Sequence, residues 1–134
     1  MQQNLDRLGS DVEESELLLK KFTSFRGDVS LYQACRNMLK LYKKEVKMAE
    51  EDILPYFDKK EALEIAEASI KKVKKPSQEQ VDNFNKLVKE YNEAGESLNE
   101  ANESLSKERN KLLEVWNKAV KSFTITHIVK NKTK

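Results

Sequence analysis

The sequence has few of the residues that end helices or make tight turns. Its 134 residues include 3 glycines and 2 prolines, whereas 38% are hydrophobic and 36% are charged. Sheet proteins need turn residues every few positions, and long amphipathic helices do not. The composition therefore predicts an all-α protein, and the length fits a single domain over residues 1–134.

Histidine and cysteine are also scarce, which limits the chemistry available to the chain. There is 1 His, His127, and 1 Cys, Cys35. A di-iron bundle site needs two Glu-x-x-His pairs, and a Ser-His-Asp or Cys-His mechanism would depend on His127 alone. We expect His127 to be solvent-exposed near the C-terminus and Cys35 to be a small core residue. The sequence thus predicts no catalytic residue, metal or cofactor, and a protein that is not an enzyme.

Neither one sign of charge nor a long apolar run dominates the chain. With 25 basic and 23 acidic residues the net charge is +2, so no global basic field would draw the protein to nucleic acid. No run approaches the roughly 18 to 20 apolar residues of a membrane-spanning helix, and the N-terminus lacks the pattern of a signal peptide. We therefore predict membrane association only through a removed or absent anchor. The location is the cell envelope if a leader was removed, and otherwise the cytoplasm.

Apolar residues recur at helical spacing along almost the whole chain. We predict helices at about 2–25, 29–54, 58–75 and 77–123, followed by a tail at 124–134. The second helix carries one stripe at spacings of three and four: Leu31, Cys35, Met38, Tyr42, Val46, Ala49 and Ile53. The last carries a seven-residue repeat: Phe84, Tyr91, Leu98, Leu105, Leu112 and Ala119. Such a repeat is typical of a coiled-coil seam, here about 70 Å long.

The ends of these helices are marked by particular residues. Gly27 favours the left-handed conformation that follows a helix, and Asp28 or Ser30 is suited to cap the next one. Pro55 disfavours helical geometry at the preceding residue, so it predicts a kink or break. A capping-box pattern at Asp58 predicts the start of the third helix.

The final helix has its own start signal, and the tail has none. Ser77 and Gln80 form a second capping-box pattern directly after a proline. The tail alternates apolar and polar residues, but a lone strand has no pairing partner. We predict a docked or fraying terminus there.

We predict an antiparallel up-down bundle of three to four helices with a long heptad-patterned last helix. That helix is nearly twice as long as the others, which leaves two arrangements open. Either the second and third helices form one kinked arm antiparallel to it, or it bends near Gly95 to close a compact four-helix bundle. We expect most of its apolar face to be satisfied within the chain.

Three features of this pattern are candidate partner contacts. Small residues around Ala94 and Ala101 permit close helix approach or leave a groove for a foreign helix. Glu108 falls on the seam, where it marks a polar contact or the drift of a straight helix against the heptad. A basic cluster, which alternatively complements a helix dipole, consists of Lys71, Lys72, Lys74 and Lys75.

The pattern around residues 22–44 carries a family resemblance. Phe25 is followed by Gly27-Asp28 and then by an amphipathic helix with Leu31, Leu39 and Tyr42. The long last helix ends in Trp116, followed by Phe123 and His127. This resembles an uncharacterised family of small helical-bundle surface or lipoprotein-like proteins of bacteria with two membranes. The resemblance spans most of the chain and implies secretion with a removed leader, although the family's lipidation cysteine near the start is missing here.

Two functional hypotheses follow from these observations. The first is a non-enzymatic helical-bundle protein of the bacterial envelope, acting by protein contact or scaffolding on an unknown protein partner or by self-association. The alternative is a cytoplasmic helical adaptor or export chaperone that binds a client helix.

Overall fold

A computed structural model describes residues 1–129 and contains three continuous helical segments. The first is α1, Gln2–Leu19. The second joins α2, Ser30–Met48, to α3, Leu54–Lys71, through a π-helical turn, Ala49–Ile53. The third is α4, Gln78–Thr124, which continues as a π-helical turn, Ile125–Val129. No strand occurs in this part of the chain, so the all-α bundle with a long last helix is confirmed.

Packing divides the chain into two compact units, which we describe separately. Unit 1 comprises Met1–Val46 and the described chain from Ser104 onward, and so contains α1, most of α2 and the C-terminal part of α4. Unit 2 is Lys47–Glu103, which contains the first π-helical turn, α3 and the N-terminal part of α4. The single folding domain over residues 1–134 stays a prediction.

Two of the predicted helix-start signals form hydrogen bonds. Asp28 Oδ1 accepts hydrogen bonds from the backbone N–H of Ser30 at 2.9 Å and from its hydroxyl at 2.6 Å. Before α4, the Ser77 N–H donates to Gln80 Oε1 at 2.9 Å, and the Gln80 N–H donates to Ser77 Oγ at 3.2 Å. Both capping predictions are confirmed, because these contacts satisfy backbone N–H groups that have no partner inside the helix.

The first helix ends earlier than predicted, at Leu19 rather than about residue 25. Phe25 and Asp28 exchange two backbone hydrogen bonds across a tight turn. At the turn's centre Arg26 and Gly27 have φ of 50° and 80°, which confirms the left-handed Gly27. Such a turn requires Phe25 to be extended on one side, so the helix cannot continue through it.

The third helix begins at Leu54, not near Asp58, and ends at Lys71, not at about residue 75. The irregularity predicted at Pro55 is present as the π-helical turn immediately before it, and not as a gap between helices. Proline cannot donate a hydrogen bond to the preceding turn, and the wider π turn eases the clash of its ring with a carbonyl of that turn.

Residues 125–129 of the predicted tail extend α4 as a π-helical turn, and the remaining residues of the tail lie outside the described part of the chain. α4 itself is one uninterrupted helix that includes Gly95. None of the helices described is both long and apolar enough to cross a membrane.

The buried side chains are concentrated in unit 1. Its buried residues are Val12, Ala34, Leu39, Leu41 and Leu105. Leu41 is completely buried, and it lies next to the predicted stripe of α2 rather than on it. In unit 2 the only residue buried to this degree among those described is Ala49.

Candidate functional site

In unit 1, helix α2 is held to α1 by one close approach and one ion pair. A Cβ built on Gly9 of α1 would lie 3.7 Å from Val46 Cγ1, which is ordinary van der Waals contact. Lys43 Nζ of α2 lies 2.6 Å from Glu16 Oε2 of α1. There is therefore room for a methyl group at Gly9 beside Val46.

On the α4 side, two ion pairs join α2 to the C-terminal part of the long helix. Lys44 Nζ lies 2.7 Å from Glu108 Oε1, and Arg109 donates from Nε and Nη2 to Glu45 Oε1. Glu108, a predicted partner contact, therefore has a partner inside its own unit. A carboxylate on the seam is stabilised there because Lys44 reaches it across the helix pair.

Unit 1 also has an open apolar groove, which is lined mainly by α2, α4 and the segment that precedes α2. It consists of two neighbouring hollows of about 310 Å³ each, and Cys35 and Trp116 line both of them. We call this surface the aromatic groove. Its principal lining residues are Phe22, Phe25, Leu31, Cys35, Met38, Tyr42, Leu113, Trp116 and Phe123. Large apolar side chains remain exposed in it, with Phe22 at 73% and Leu113 at 41%.

The predicted stripe of α2 thus has an unexpected role in unit 1. Cys35 was predicted to be a core residue, yet it is only half-buried, and together with Leu31, Met38 and Tyr42 it lines an open groove. The helix is apolar over an arc wide enough to serve two surfaces. One side of α2 packs in the core and the other lines the groove, so the spacing of apolar residues in the sequence does not distinguish core residues from groove residues.

Next to the groove residues Phe25 and Phe123, His127 makes a contact with a distant part of the chain. His127 Nε2 lies 2.8 Å from Asp28 Oδ2, and the His127 ring centroid is 5.1 Å from that of Phe25 and 4.5 Å from that of Phe123. The prediction of an exposed His127 is wrong, because its side chain is only 10% exposed. The π-helical extension of α4 brings the ring against the turn that precedes α2.

In this contact the pKa of Asp28 is lowered. Hydrogen bonds from Ser30, followed by the one with His127, lower the pKa of Asp28 from 3.8 to about 2. Each of these donors stabilises the carboxylate relative to the protonated acid. Phe25, Asp28, Phe123 and His127 therefore meet at one site, although Asp28 and His127 lie 99 positions apart.

A second, basic hollow adjoins the groove on the next face of α2. It too encloses about 310 Å³, and Leu19 and Tyr32 line both surfaces. Its cationic side chains are Lys20, Arg36, Lys40 and Lys43. We call these four residues the basic rim. The sequence analysis missed them, although Arg36, Lys40 and Lys43 follow each other at helical spacing.

The other predicted contact residues belong to unit 2. Ala94 and Ala101 are half-buried on α4. A Cβ on the neighbouring Gly95 would lie 3.6 Å from the Tyr56 ring of α3, so this stretch is used for close approach within the unit. Lys71 lies 2.5 Å from Glu67 in the last turn of α3. The remaining members of the cluster, Lys72, Lys74 and Lys75, are exposed at or beyond its end, and their contact with a partner stays a prediction.

Within residues 1–129 no group of three or more His, Cys, Asp or Glu side chains is placed to hold a metal ion. Comparison of the chain with protein-family models, curated proteins and solved structures yields no match.

Proposed function

We propose that this chain is a non-enzymatic helical protein that acts by protein contact, and that the aromatic groove docks an amphipathic helix of another protein. The observation that carries the proposal is the open groove, in which Trp116 lines both hollows and Phe and Leu side chains are partly exposed. Contiguous exposed apolar surface is costly in water and typically marks an interaction site. Trp, Tyr and Phe are enriched where partners bind.

The shape of the groove supports a helix as its occupant. On α2 the lining runs from Leu31 to Tyr42, three turns of helix and about 16 Å at 1.5 Å per residue. A helix lying in such a groove buries side chains at i, i+3 or i+4, and i+7 over the same length. Ion pairs join α2 to α1 on one side and to α4 on the other.

A synthetic peptide tests the docking directly. Trp116 is the only tryptophan of the chain and lines the groove, so its fluorescence reports on occupancy. The probe is an 18-residue helical peptide with leucine along one face and alanine and glutamine elsewhere. We expect saturable titration of Trp116 fluorescence, and protection of Cys35, the only cysteine, from alkylation over the same range of peptide concentration.

Matched variants locate the binding. Phe22→Ser and Leu113→Ser remove groove side chains that are already exposed, and should weaken peptide binding about tenfold or more, since central aromatic and aliphatic anchors carry most binding energy. Leu17→Ser and Ile65→Ser are the controls, because both side chains are 61% exposed and lie outside the groove. Equal loss in both pairs, or no titration at all, would contradict the proposal.

For the location, the family resemblance supports the bacterial envelope, and the cytoplasmic adaptor is the alternative. Expression of the native gene in its own host, followed by fractionation and mass spectrometry of the mature N-terminus, separates the two. A processed product in the envelope fraction supports the first. An unprocessed cytoplasmic product contradicts it, and leaves the docking proposal to the peptide experiment.

A further inference from the structure

We infer that the helix docked in the aromatic groove is acidic along the flank that faces the basic rim. This inference rests on the proposed function and specifies its partner. The groove and the basic hollow share Leu19 and Tyr32 as walls, so a helix lying on the first places one of its flanks beside the second. The partner's chemistry is therefore constrained on two adjacent faces.

The charge of the basic rim is only partly neutralised within the protein. Of its four cations, Lys43 is paired with Glu16 at 2.6 Å. No carboxylate of residues 1–129 is within ion-pair distance of Arg36 or Lys40. Glu16 is the one acidic residue lining the hollow, against four basic ones, which leaves about three positive charges facing solvent.

A helix dipole explains the position of Lys20 but not those of Arg36 and Lys40. Lys20 follows the last residue of α1, where a positive charge complements the exposed carbonyl groups. Arg36 and Lys40 lie in the interior of α2, away from both of its ends. They lie next to an apolar surface without an intramolecular anion, an arrangement that favours a partner with carboxylates over one with a neutral or basic flank.

The experiment compares two peptides that differ only in that flank. One is the leucine and glutamine peptide described above, and the other replaces the glutamines of one flank with glutamates. We expect the acidic peptide to bind the wild-type chain about tenfold tighter at about 0.05 M salt, with the preference shrinking at about 0.5 M because salt screens exposed charges. Trp116 fluorescence is the readout for both.

Charge reversal assigns the preference to the rim. In Arg36→Glu/Lys40→Glu we expect the acidic peptide to bind no tighter than the neutral one, while the neutral peptide keeps its wild-type affinity. The matched control, Lys86→Glu/Lys89→Glu, makes the same change in net charge on exposed residues of unit 2 and should keep the full preference. Circular dichroism and thermal unfolding confirm that both variants are folded.

The outcomes separate this inference from the proposed function. If the neutral peptide binds in the groove and the acidic one binds no tighter, the inference is wrong and the docking proposal stands. If neither peptide binds, both are wrong.

Two other occupants are tested alongside. Concentration-dependent dimerisation of the chain alone, measured by light scattering and abolished by Arg36→Glu/Lys40→Glu, would replace the foreign helix by a second copy. Binding to phosphatidylglycerol vesicles that is lost in the same variant, without binding of either peptide, would replace it by a lipid surface. Either result would overturn the inference.

Discussion

The two units of the chain use the same helical pattern in different ways. Unit 1 buries five apolar side chains and still leaves an aromatic groove open. Unit 2 buries Ala49 alone to that degree among its residues, and its helices are joined by polar contacts. Lys59 Nζ lies 2.6 Å from Glu90 Oε2, and the hydroxyls of Tyr56 and Tyr91 are 2.8 Å apart.

This difference shows what an apolar stripe can signify in a chain with few helices. Where only two helices pack together, one apolar stripe of each faces the other, and polar side chains beside the stripes also link the two helices. Unit 1 contains parts of three helices, and in it α2 buries Ala34 and Leu41 on one face and presents a second apolar face to solvent. The surplus apolar face in unit 1 is the basis of the proposed docking.

The largest effect should come from the core of unit 1. Leu41→Ala removes a completely buried side chain, so we expect the free energy of unfolding to fall by about 3 kcal/mol. Ile65→Ala in unit 2 removes a side chain that is 61% exposed and should change it by less than about 0.5 kcal/mol. Urea denaturation followed by circular dichroism measures both, and equal losses would show that the two units do not differ in packing as described.

Much of this fold was predictable from the sequence, because the determining signals are local. The scarcity of glycine and proline excluded sheets, and the hydrogen bonds of Asp28 and of Ser77 with Gln80 involve residues within three positions of one another. The long last helix follows from an apolar repeat without a breaker.

The errors concern features that depend on distant residues. A stripe at spacings of three and four has the same appearance whether it faces a core or a groove, so Leu31 and Met38 could not be assigned to the groove from period alone. The position of His127 depends on its meeting Asp28, which is 99 residues away. The continuation of the helix through Pro55 depends on a π-helical turn that no residue type specifies.

Glycine substitutions compare close helix approach in the two units. A Cβ would meet Val46 at 3.7 Å from Gly9 in unit 1, and Tyr56 at 3.6 Å from Gly95 in unit 2. Both are ordinary contacts, so Gly9→Ala and Gly95→Ala should each stabilise the protein by about 1 kcal/mol through the helix preference of alanine. Gly27→Ala is the control of opposite sign, because φ of +80° at Gly27 strains any residue with a Cβ. Thermal unfolding gives the order of stability, and a loss in Gly95→Ala alone would mean that unit 2 tolerates less bulk at its helix contact.

The tyrosine pair makes unit 2 sensitive to alkali. The hydrogen bond with Tyr56, followed by burial, raises the pKa of Tyr91 above 10.0. The folded state therefore holds the phenol proton more tightly than the unfolded chain does. This contribution to stability is present in full below pH 10 and is lost as the pH rises through the raised pKa. Denaturation at several alkaline pH values should show a smaller decline in Tyr56→Phe than in the wild type, and an unchanged decline would rule out the pair as its source.

At acid pH the protonation of one carboxylate in each unit should lower the stability of the protein, and the two carboxylates should be protonated over different pH ranges. In unit 1 the pKa of Asp28 falls from 3.8 to about 2 through Ser30 and then His127, and in unit 2 the hydrogen bond from Lys59 lowers the pKa of Glu90 below 4.5. A carboxylate whose pKa is lowered by folding stabilises the folded state at pH values above its pKa in the unfolded chain. This stabilisation is lost as the pH falls through its pKa in the folded state. The Asp28 contribution should thus decline from about pH 3.8 towards 2, and that of Glu90 should begin to decline near pH 4.5. Comparison of the acid unfolding of Asp28→Asn and Glu90→Gln with that of the wild type isolates each contribution, and carboxyl chemical shifts measured by NMR give the two pKa values directly.

Since both groups are partly exposed, we expect each effect on stability to be smaller than that of the glycine substitutions. The effect of Glu90 should also be weaker at high salt, because its partner is a lysine ammonium. The Asp28 effect should persist in salt, because the hydroxyl and backbone N–H of Ser30 carry no net charge to be screened.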